Sequence, residues 1–286
     1  MDPLDVARNA AHSAAQVIKE IIDEGREKEV LGIGESGDTT LLGDKLSENT
    51  IIATIQENMD SFKIISEEVG EKVFGSNPEY TFIIDPIDGS RNYKRRVPLY
   101  TISVAVARGD TIEDIVAGVV YFAPLRLEFY AKRGEGTYAN GKRIFASNKR
   151  DLKGGIIGLS FTPKAQFLPQ LVALNLATKG AVVRSWGSVS LELSYLAQGG
   201  IDGYIEAWGT MRVVDVAAAI LIAKESGAKL LLRGKLADTP LLRLDERLSM
   251  VAASTQELLD KLVEAYREAL GFLPTEVFKQ FGVQHG

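Results

Sequence analysis

Two aspartates, Asp85 and Asp88, are the residues whose types and spacing most directly suggest chemistry. They follow an apolar run, residues 80–84, which predicts a buried strand, and they flank Pro86, which fixes φ and removes a hydrogen-bond donor. Carboxylates at the tip of a buried strand are costly unless arginines or a metal ion compensate them. Hard oxygen ligands on a stiff corner suit Mg²⁺. A Gly-Ser pair follows, and its N–H groups could face an anion such as phosphate.

Further acidic residues stand beside predicted elements in the same manner. Glu67 comes just after a short predicted strand, residues 62–65, and Asp215 lies near the start of a predicted helix, residues 213–225. Alone, Glu67 would be interpreted as part of a solvated loop. Asp215 alone would be a carboxylate favoured by the helix dipole, which contributes at most about 1 kcal/mol. Together with Asp85 and Asp88, they supply the carboxylates that a site for several Mg²⁺ ions requires.

A basic stretch, residues 91–96, directly follows the first acidic pair. It is either a solvated surface or a patch that attracts a phosphorylated substrate to the metal, and the sequence leaves both interpretations open. The net charge of −5 argues against a surface that coats nucleic acid. No run approaches the roughly 18 apolar residues of a membrane span, and the chain starts without the pattern of a signal peptide. We therefore expect neither a nucleic-acid partner nor a membrane.

The chain offers few of the usual protein nucleophiles. It contains no cysteine, which excludes disulfides, thiolate metal sites and cysteine nucleophiles and favours an intracellular, cytoplasmic protein. The two histidines, His12 and His285, lie near the chain ends, and no G-x-S-x-G elbow is present. These absences favour a reaction in which metal ions activate water over one that uses a covalent intermediate.

Residues 32–37 spell G-x-G-x-x-G, the dinucleotide fingerprint. That fingerprint requires a strand before it and a helix directly after it. Here a charged segment, residues 24–29, precedes it, and the following residues do not open an amphipathic helix. The pattern therefore favours a glycine-rich loop or hairpin over a nucleotide-binding loop.

The elements that must position these residues divide the chain into two halves. In residues 1–150 we expect helices over residues 3–24 and 47–59, then the two acid-bearing strands, and then a meander of mainly antiparallel strands over 101–107, 115–122 and 127–131. In residues 151–286 strands and helices alternate, which predicts an α/β half. Its helices are expected over residues 163–178, 190–198, 213–225 and 256–269, and its strands over 155–160, 181–184, 202–206, 228–232 and 250–253.

The motifs resemble those of the inositol monophosphatase superfamily of Mg²⁺-dependent, Li⁺-sensitive sugar phosphatases. Its first signature, a strand ending in D-P-I/L-D-G-S/T-x-N, stands complete at residues 85–92, and its second, W/V-x-D-x-A-A followed by E-A/S-G, stands at 213–218 and 225–227. Weaker matches are the E-E pair at 67–68, a D-x-x-T-x-x-D-like segment at 38–44, G-S-x-x-L-E-L at 187–193 and D-G/A-Y-x-E at 202–206. The resemblance spans about residues 35 to 230 in the family order.

The resemblance implies a fold and a function for single residues. The fold would be a layered αβαβα sandwich of the α+β or α/β class, with a mainly antiparallel N-terminal sheet and a mixed C-terminal α/β half. The metal ligands would be Glu67, Asp85, the carbonyl of Ile87, Asp88 and Asp215. Ser90, with Asp44 or Glu67, would orient the attacking water, and the amides of Gly89 and Ser90 would hold the phosphate. The substrate side would comprise Asp88, Arg184, Gly187, Ser188, Val189, Glu206 and Asp215.

The resemblance also implies the reaction and its cofactor. Two or three Mg²⁺ ions per site would activate water to hydrolyse inositol 1-phosphate, fructose 1,6-bisphosphate or both, in a homo-oligomer, a dimer or a tetramer. Ser90 in place of the usual threonine and Val214 in place of the usual tryptophan point to the archaeal branch, which often accepts both substrates. Two alternatives stay open: a 3′-phosphoadenosine 5′-phosphate phosphatase, and a regulatory binding protein without turnover on the same fold.

Overall fold

The computed structural model of the protein describes residues 1–33 and 39–271. The helices in these ranges are α1 (Pro3–Asp23), α2 (Leu42–Gln56), α3 (Ser90–Lys94), α4 (Leu168–Thr178), α5 (Val189–Ala197), α6 (Val213–Glu225) and α7 (Gln256–Gly271). The strands are β1 (Val30–Ile33), β2 (Thr39–Leu41), β3 (Phe62–Ser66), β4 (Gly70–Phe74), β5 (Thr81–Asp88), β6 (Thr101–Ala107), β7 (Ile115–Phe122), β8 (Leu127–Lys132), β9 (Gly136–Ala139), β10 (Lys142–Ile144), β11 (Ile156–Leu159), β12 (Val182–Arg184), β13 (Gly203–Arg212), β14 (Lys229–Gly234) and β15 (Arg247–Ala253).

An eight-stranded sheet has the order β10-β9-β8-β7-β6-β5-β3-β4. Its neighbouring strands are antiparallel except for β3 and β5, which run parallel. A five-stranded sheet has the order β12-β11-β13-β15-β14, with β11 parallel to both of its neighbours and the remaining pairs antiparallel. The mainly antiparallel first sheet and the mixed second sheet are therefore confirmed.

The sheets and helices form five layers. Helices α1 and α2 cover one face of the eight-stranded sheet, and α6 covers the other face with α5 beside it. Helices α5 and α6 also contact the five-stranded sheet, whose outer face is covered by α7 and its neighbour α4. The layered αβαβα sandwich predicted from the sequence is confirmed.

The composition of α6 explains how it lies between two sheets. Its apolar residues surround the helix rather than forming one stripe, and ten of its thirteen residues are buried. Alanines at 217–219 let the helix backbone approach the first sheet closely. A Cβ added at Gly118 of β7 would lie 2.9 Å from the carbonyl oxygen of Ala218. The second signature therefore builds the central layer as well as carrying Asp215.

Several predicted boundaries differ from the structure. Helix α2 begins at Leu42, five residues before the predicted start, because Asp44 caps its first turn. Helix α4 begins at Leu168, since Gln166 has a positive φ of 53° that interrupts the helix expected from residue 163. Strand β13 continues to Arg212 instead of ending at 206. The domain boundary near residue 150 stays a prediction. Helices α5 and α6, which follow it in the chain, contact both sheets.

Two sequence predictions fall at the limits of the described ranges. Strands β1 and β2 pair in antiparallel fashion, in accord with a hairpin around the glycine-rich stretch, but residues 34–38 themselves lie outside the described residues. The aromatic tail, residues 272–286, lies outside them as well. Within residues 1–33 and 39–271, none of the helices has the length and apolar character that crossing a membrane requires.

Candidate active site

Glu67 and Asp85 are neighbours because β3 and β5 run parallel. The register pairs Ser66 with Ile84, so the next residue of each chain segment emerges at the same edge of the sheet. Strand β5 is buried along its length, which leaves the carboxylate of Asp85 only 2% exposed. Glu67 and Asp85 belong to separate motifs in the sequence, and the parallel strands bring their carboxylates together as a pair.

A bulge in β5 aims Asp85 and Asp88 at the site. Three steps along β5 match two along β6 in this interval, and Pro86, which has no N–H for the ladder, lies within it. The Oδ1 atom of Asp85 accepts the Ile87 N–H at 3.0 Å, which fixes the carboxylate. The predicted strand end at residue 84 is wrong, because the proline forms a bulge inside the strand rather than terminating it.

Asp215 comes from the C-terminal half, in the first turn of α6. Its Oδ2 accepts the backbone N–H of Arg212 at 3.2 Å, so the side chain caps its own helix. Carboxylate oxygens of Glu67, Asp85 and Asp215 all lie within 4.8 Å of one another. Three elements that are distant in sequence thus bring three predicted metal ligands together.

Arg212 is a cation inside this cluster. Its Nη2 lies 2.9 Å from Oδ1 of Asp215, and its Nη1 donates to Oε1 of Glu67. The guanidinium therefore compensates part of the negative charge and ties the loop after β3 to α6. A metal ion that binds the same oxygens must compete with this arginine.

Asp88, the fourth predicted acidic ligand, is held by the start of α5. Its Oδ2 accepts the Ser188 Oγ–H at 2.8 Å, the Ser190 N–H at 2.7 Å and the Ser190 Oγ–H at 2.5 Å. Thr101 Oγ1 lies 2.5 Å from Ser190 Oγ in the same buried cluster. These bonds saturate one oxygen of Asp88 and leave its Oδ1 as the atom for a ligand or a metal.

The electrostatics of the cluster favour a bound cation. Burial raises the pKa of Asp85 well above its ordinary value, and the negative charges of Asp88 and Asp215 raise it further, whereas Arg212 opposes them. Burial also raises the pKa of Asp88, with Asp215 adding to it and the serine hydrogen bonds opposing it. A divalent cation would stabilise both carboxylates in their charged form.

The predicted water-orienting residues, Ser90 and Asp44, lie in the first turns of α3 and α2. Ser90 begins α3, and its Oγ–H donates to the carbonyl oxygen of Ile87 at 2.9 Å. Gly89 has a φ of +94°, and a Cβ there would lie 2.8 Å from the carbonyl oxygen of Leu99, which explains why glycine precedes the serine. Asp44 is 5% exposed, and burial raises its pKa to about 7 although the Leu41 N–H opposes this.

The predicted substrate side is only partly assembled around these acids. Residues 186–188 contact the first motif, because Asn92 Nδ2 donates to the Trp186 carbonyl at 2.7 Å and to the Leu99 carbonyl at 2.8 Å. Arg184 is exposed, and its Nη1 donates to the neighbouring Val183 carbonyl. Its place beside the substrate stays a prediction.

Glu206 is fully buried, which sequence reasoning did not foresee for a residue expected to bind substrate hydroxyls. Its Oε1 accepts the N–H and the hydroxyl of Thr210, because residues 207–210 loop out between paired parts of β13 and β15. Its Oε2 has no hydrogen-bond partner among the described residues, and burial raises its pKa to about 7. Its contact with substrate stays a prediction.

Sequence reasoning assigned no role to four residues that shape the site. Arg212 precedes Asp215 by three residues, a spacing at which side chains meet on one helical face, and that signal was present in the sequence. Ser190 follows Ser188 by two residues, and Asn92 closes the first signature. Glu192, one turn into α5, accepts the Trp186 N–H at 2.9 Å, and burial raises its pKa to about 8. The contacts of the last three depend on tertiary structure.

A cavity of about 730 Å³ lies apart from the acid cluster and is not lined by its carboxylates. It lies between α1 and the end of β7 and is lined by side chains that include His12, Lys19, Tyr121 and Arg126. His12 there lies 3.0 Å from Glu128 and packs on Tyr121, and its side chain is partly exposed, so it is a surface histidine. We place the site at the acid cluster because the converging carboxylates, rather than cavity volume, supply chemistry.

Comparison with known proteins identifies the family of the chain. Residues 2–270 match the model of the inositol monophosphatase family. The chain is 30% identical over 266 residues to the fructose-1,6-bisphosphatase/inositol-1-monophosphatase of Thermococcus kodakarensis, covering 92% of this chain and 97% of that protein. The crystal structure of the extragenic suppressor protein SuhB from Bartonella henselae is similar with a TM-score of 0.78 at 25% identity, covering 92% of this chain and 98% of the other.

One relative is considerably longer than this chain. The bifunctional NADP phosphatase/NAD kinase of Methanococcus maripaludis is 32% identical over 245 residues. The match covers 79% of this chain but 43% of that protein, so the chain spans less than half the length of this relative.

Proposed function

The chain belongs to the inositol monophosphatase family, and on that premise we propose that this phosphoric monoester hydrolase uses Mg²⁺ to hydrolyse inositol 1-phosphate, fructose 1,6-bisphosphate or both. Two or three Mg²⁺ ions per site, inhibition by lithium, a cytoplasmic location and a dimeric or tetrameric state are parts of the same proposal. A small phosphorylated sugar or inositol is the expected substrate.

The observation that carries the proposal is the convergence of Glu67, Asp85 and Asp215, whose oxygens lie within 4.8 Å of one another. All three are hard oxygen donors, and Asp88, whose charge raises the pKa of Asp85, is the fourth expected ligand, which fits Mg²⁺ better than a softer metal. When bound there, Mg²⁺ supplies neutralisation of the phosphate ester and lowers the pKa of a water molecule. The donor set therefore fits the metal that the family resemblance implies.

The chain's own residues would position the phosphate and the water. The first N–H groups of a helix have no intrahelical partner, so the amides at Gly89 and Ser90 can donate to phosphate oxygens. The Ser90 hydroxyl donates to the Ile87 carbonyl, and it would orient the attacking water. Asp44, whose raised pKa of about 7 lets it hold or release a proton near neutrality, is a candidate to accept the proton of that water.

The substrate beyond its phosphate would lie against residues 187–189 and Glu206. The amide of Ser190 and two serine hydroxyls hold Asp88, so the start of α5 is fixed relative to the metal ligands. We expect Arg184 and Glu206 to contact substrate oxygens from the five-stranded sheet. This arrangement would orient the leaving hydroxyl toward the carboxylates.

A nucleotide phosphatase is the second candidate. The similarity to a protein named NADP phosphatase/NAD kinase supports it, and the exposed basic residues Arg91, Lys94 and Arg95 on and just after α3 could attract a second phosphate. The regulatory binding protein without turnover is less favoured, because the sequence retains all four acidic residues expected from the family and three of them converge.

The deciding test is phosphate release from four substrates: inositol 1-phosphate, fructose 1,6-bisphosphate, 3′-phosphoadenosine 5′-phosphate and NADP. Each is assayed with Mg²⁺, with chelator, and with Mg²⁺ plus Li⁺. We expect release from one or both of the first two, only with Mg²⁺ and reduced by Li⁺. Preference for either nucleotide would support the second candidate, and no release from any substrate would contradict both.

A further inference from the structure

Glu48 of α2 is a buried carboxylate to which neither the motifs nor the proposed reaction assigns a role. Its side chain is fully buried, and burying a carboxylate is costly unless donors surround it. Helix α2 is anchored by Ile51 and Ile55, which are both buried in the core beneath the eight-stranded sheet. Glu48 is therefore a fixed charge on a rigid element.

The donors to Glu48 come from both sides of Glu67. Its Oε1 accepts the Ser66 hydroxyl, the Glu68 N–H at 3.2 Å and the Val69 N–H at 3.1 Å. Ser66 precedes Glu67 and the two amides follow it, so one oxygen atom holds the turn at both ends. Two of the three donors are backbone groups, which fixes the chain itself rather than a side chain.

The second oxygen of Glu48 faces Lys45. The Nζ of Lys45 lies 3.5 Å from Oε2, one helical turn earlier on α2. This lysine is the charge that faces the carboxylate from its own helix, while the amides neutralise the other oxygen. Both oxygens of Glu48 therefore face groups of the chain: Oε1 accepts the three donors of the turn, and Oε2 faces Lys45.

We propose that Glu48 is a positioning residue that orients Glu67 toward Asp85 and Asp215. Residues 67–69 form a short turn closed by the Ser66–Gly70 pair of β3 and β4, and the carboxylate of Glu48 binds groups on both sides of Glu67 within that turn. Groups that hold a metal ligand in place affect metal affinity without touching the ion. This inference rests on the proposed function, since it presumes that Glu67 binds Mg²⁺.

Glu246 provides a matched control inside the same chain. It is also fully buried, and its Oε1 accepts the N–H groups of Lys235 at 2.8 Å, Leu236 at 3.0 Å and Arg247 at 2.9 Å. It closes the loop between β14 and β15, which carries none of the proposed metal ligands. The two glutamates therefore do the same structural work, and only Glu48 does it beside Glu67.

The test compares Glu48→Ala, Glu48→Gln, Glu246→Ala and Glu246→Gln in the full chain. Mg²⁺ affinity is measured by titration calorimetry at a temperature where near-UV circular dichroism shows each variant folded, and unfolding is measured in chelator. We expect Glu48→Ala to weaken Mg²⁺ binding about 10- to 100-fold. Glu48→Gln, which keeps an acceptor oxygen without the charge, should weaken it less, by about threefold to tenfold. Both Glu246 variants should stay within about twofold of wild type while unfolding more easily.

Two results would overturn the inference. The first is a folded Glu48→Ala variant that binds Mg²⁺ as the wild type does. If that variant does not fold, the comparison of Glu48→Gln with Glu246→Gln decides. The second result that would overturn the inference is that these two variants bind Mg²⁺ with equal affinity. Failure of the proposed function is recognised separately, because wild-type protein would then bind no Mg²⁺ in the calorimeter and release no phosphate.

Discussion

The acid cluster and the loop closed by Glu246 bury carboxylates in opposite ways. Burial alone would raise the pKa of Glu246, but the backbone N–H groups of residues 235, 236, 241 and 247 together hold it below its ordinary value. Asp85 accepts the Ile87 N–H, and burial followed by the charges of Asp88 and Asp215 raises its pKa. Glu246 has enough hydrogen-bond donors to compensate its negative charge, whereas the acid cluster carries more negative charge than its donors compensate.

This difference separates a carboxylate that builds the fold from one that is available for chemistry. Amide donors satisfy Glu246 completely, so it needs no ion and can only hold its loop. In the acid cluster Arg212 supplies one positive charge against Glu67, Asp85, Asp88 and Asp215. Such an imbalance costs stability and is retained where a cation is to bind. Substitutions in the two regions should therefore have opposite profiles.

The largest effect is expected for Asp88→Asn. Asparagine keeps an oxygen for the Ser188 and Ser190 donors, so the fold should persist, but the ligand charge is lost. We expect Mg²⁺-dependent phosphate release to fall more than about 1000-fold, equivalent to about 4 kcal/mol, with the unfolding temperature unchanged or raised because a repelling charge is gone. Release within tenfold of wild type would remove Asp88 from the metal site.

Ser90→Ala should have the next largest effect. The substitution removes the hydroxyl held by the Ile87 carbonyl but leaves the carboxylates unchanged. By analogy with other preorganised donors, the activation barrier should rise by about 2–4 kcal/mol, which lowers kcat. Mg²⁺ affinity measured by calorimetry should stay close to wild type. Ser90→Thr, which restores the residue usual in the family, is the control and should retain activity. A loss below tenfold in Ser90→Ala would show that the hydroxyl is not catalytic.

Glu246→Ala sharpens the comparison from the structural side. It leaves the amides of the loop over residues 234–246 without their acceptor, which should cost about 1–3 kcal/mol of unfolding free energy. Urea unfolding measures that loss, and phosphate release per folded molecule should equal that of the wild type. A variant with wild-type stability and reduced turnover would contradict the structural role of Glu246 and would indicate a role in catalysis instead.

The sequence predicted the parts of the site that local chemistry determines. Pro86 between two aspartates, the glycine at 89 and the start of α6 each indicate a backbone geometry without reference to the rest of the chain. The five-layer fold was predicted through family resemblance, and the strand pattern agreed with it. The sequence did not show contacts between distant parts of the chain. These are the parallel register of β3 and β5, the hydrogen bonds of Glu48 to the turn around Glu67, and the burial of Glu206. These depend on tertiary contacts that no periodicity encodes.

The last test of the comparison is the pH dependence of stability in chelator. Burial raises the pKa of Glu192 to about 8, whereas a glutamate in the unfolded chain titrates near pH 4.3. The folded state therefore holds the proton more tightly, so this contribution to stability is complete below about pH 4 and is lost as the pH rises through about 8. The loss cannot exceed about 1.4 kcal/mol per pH unit for one group.

Glu192→Gln isolates that contribution, because its amide oxygen can still accept the Trp186 N–H and carries no titrating proton. Between pH 5 and 8 the unfolding free energy of the variant should fall less steeply than that of the wild type, by up to about 1 kcal/mol per pH unit. Glu246→Gln should change the slope in the opposite sense and at lower pH, because the lowered pKa of Glu246 gives stability that is lost as the pH falls. Parallel curves for wild type and both variants would mean that donor supply does not distinguish the two regions. A divergence in the stated directions would show that Glu192 holds a proton in the folded chain near neutral pH, whereas Glu246 is ionised there.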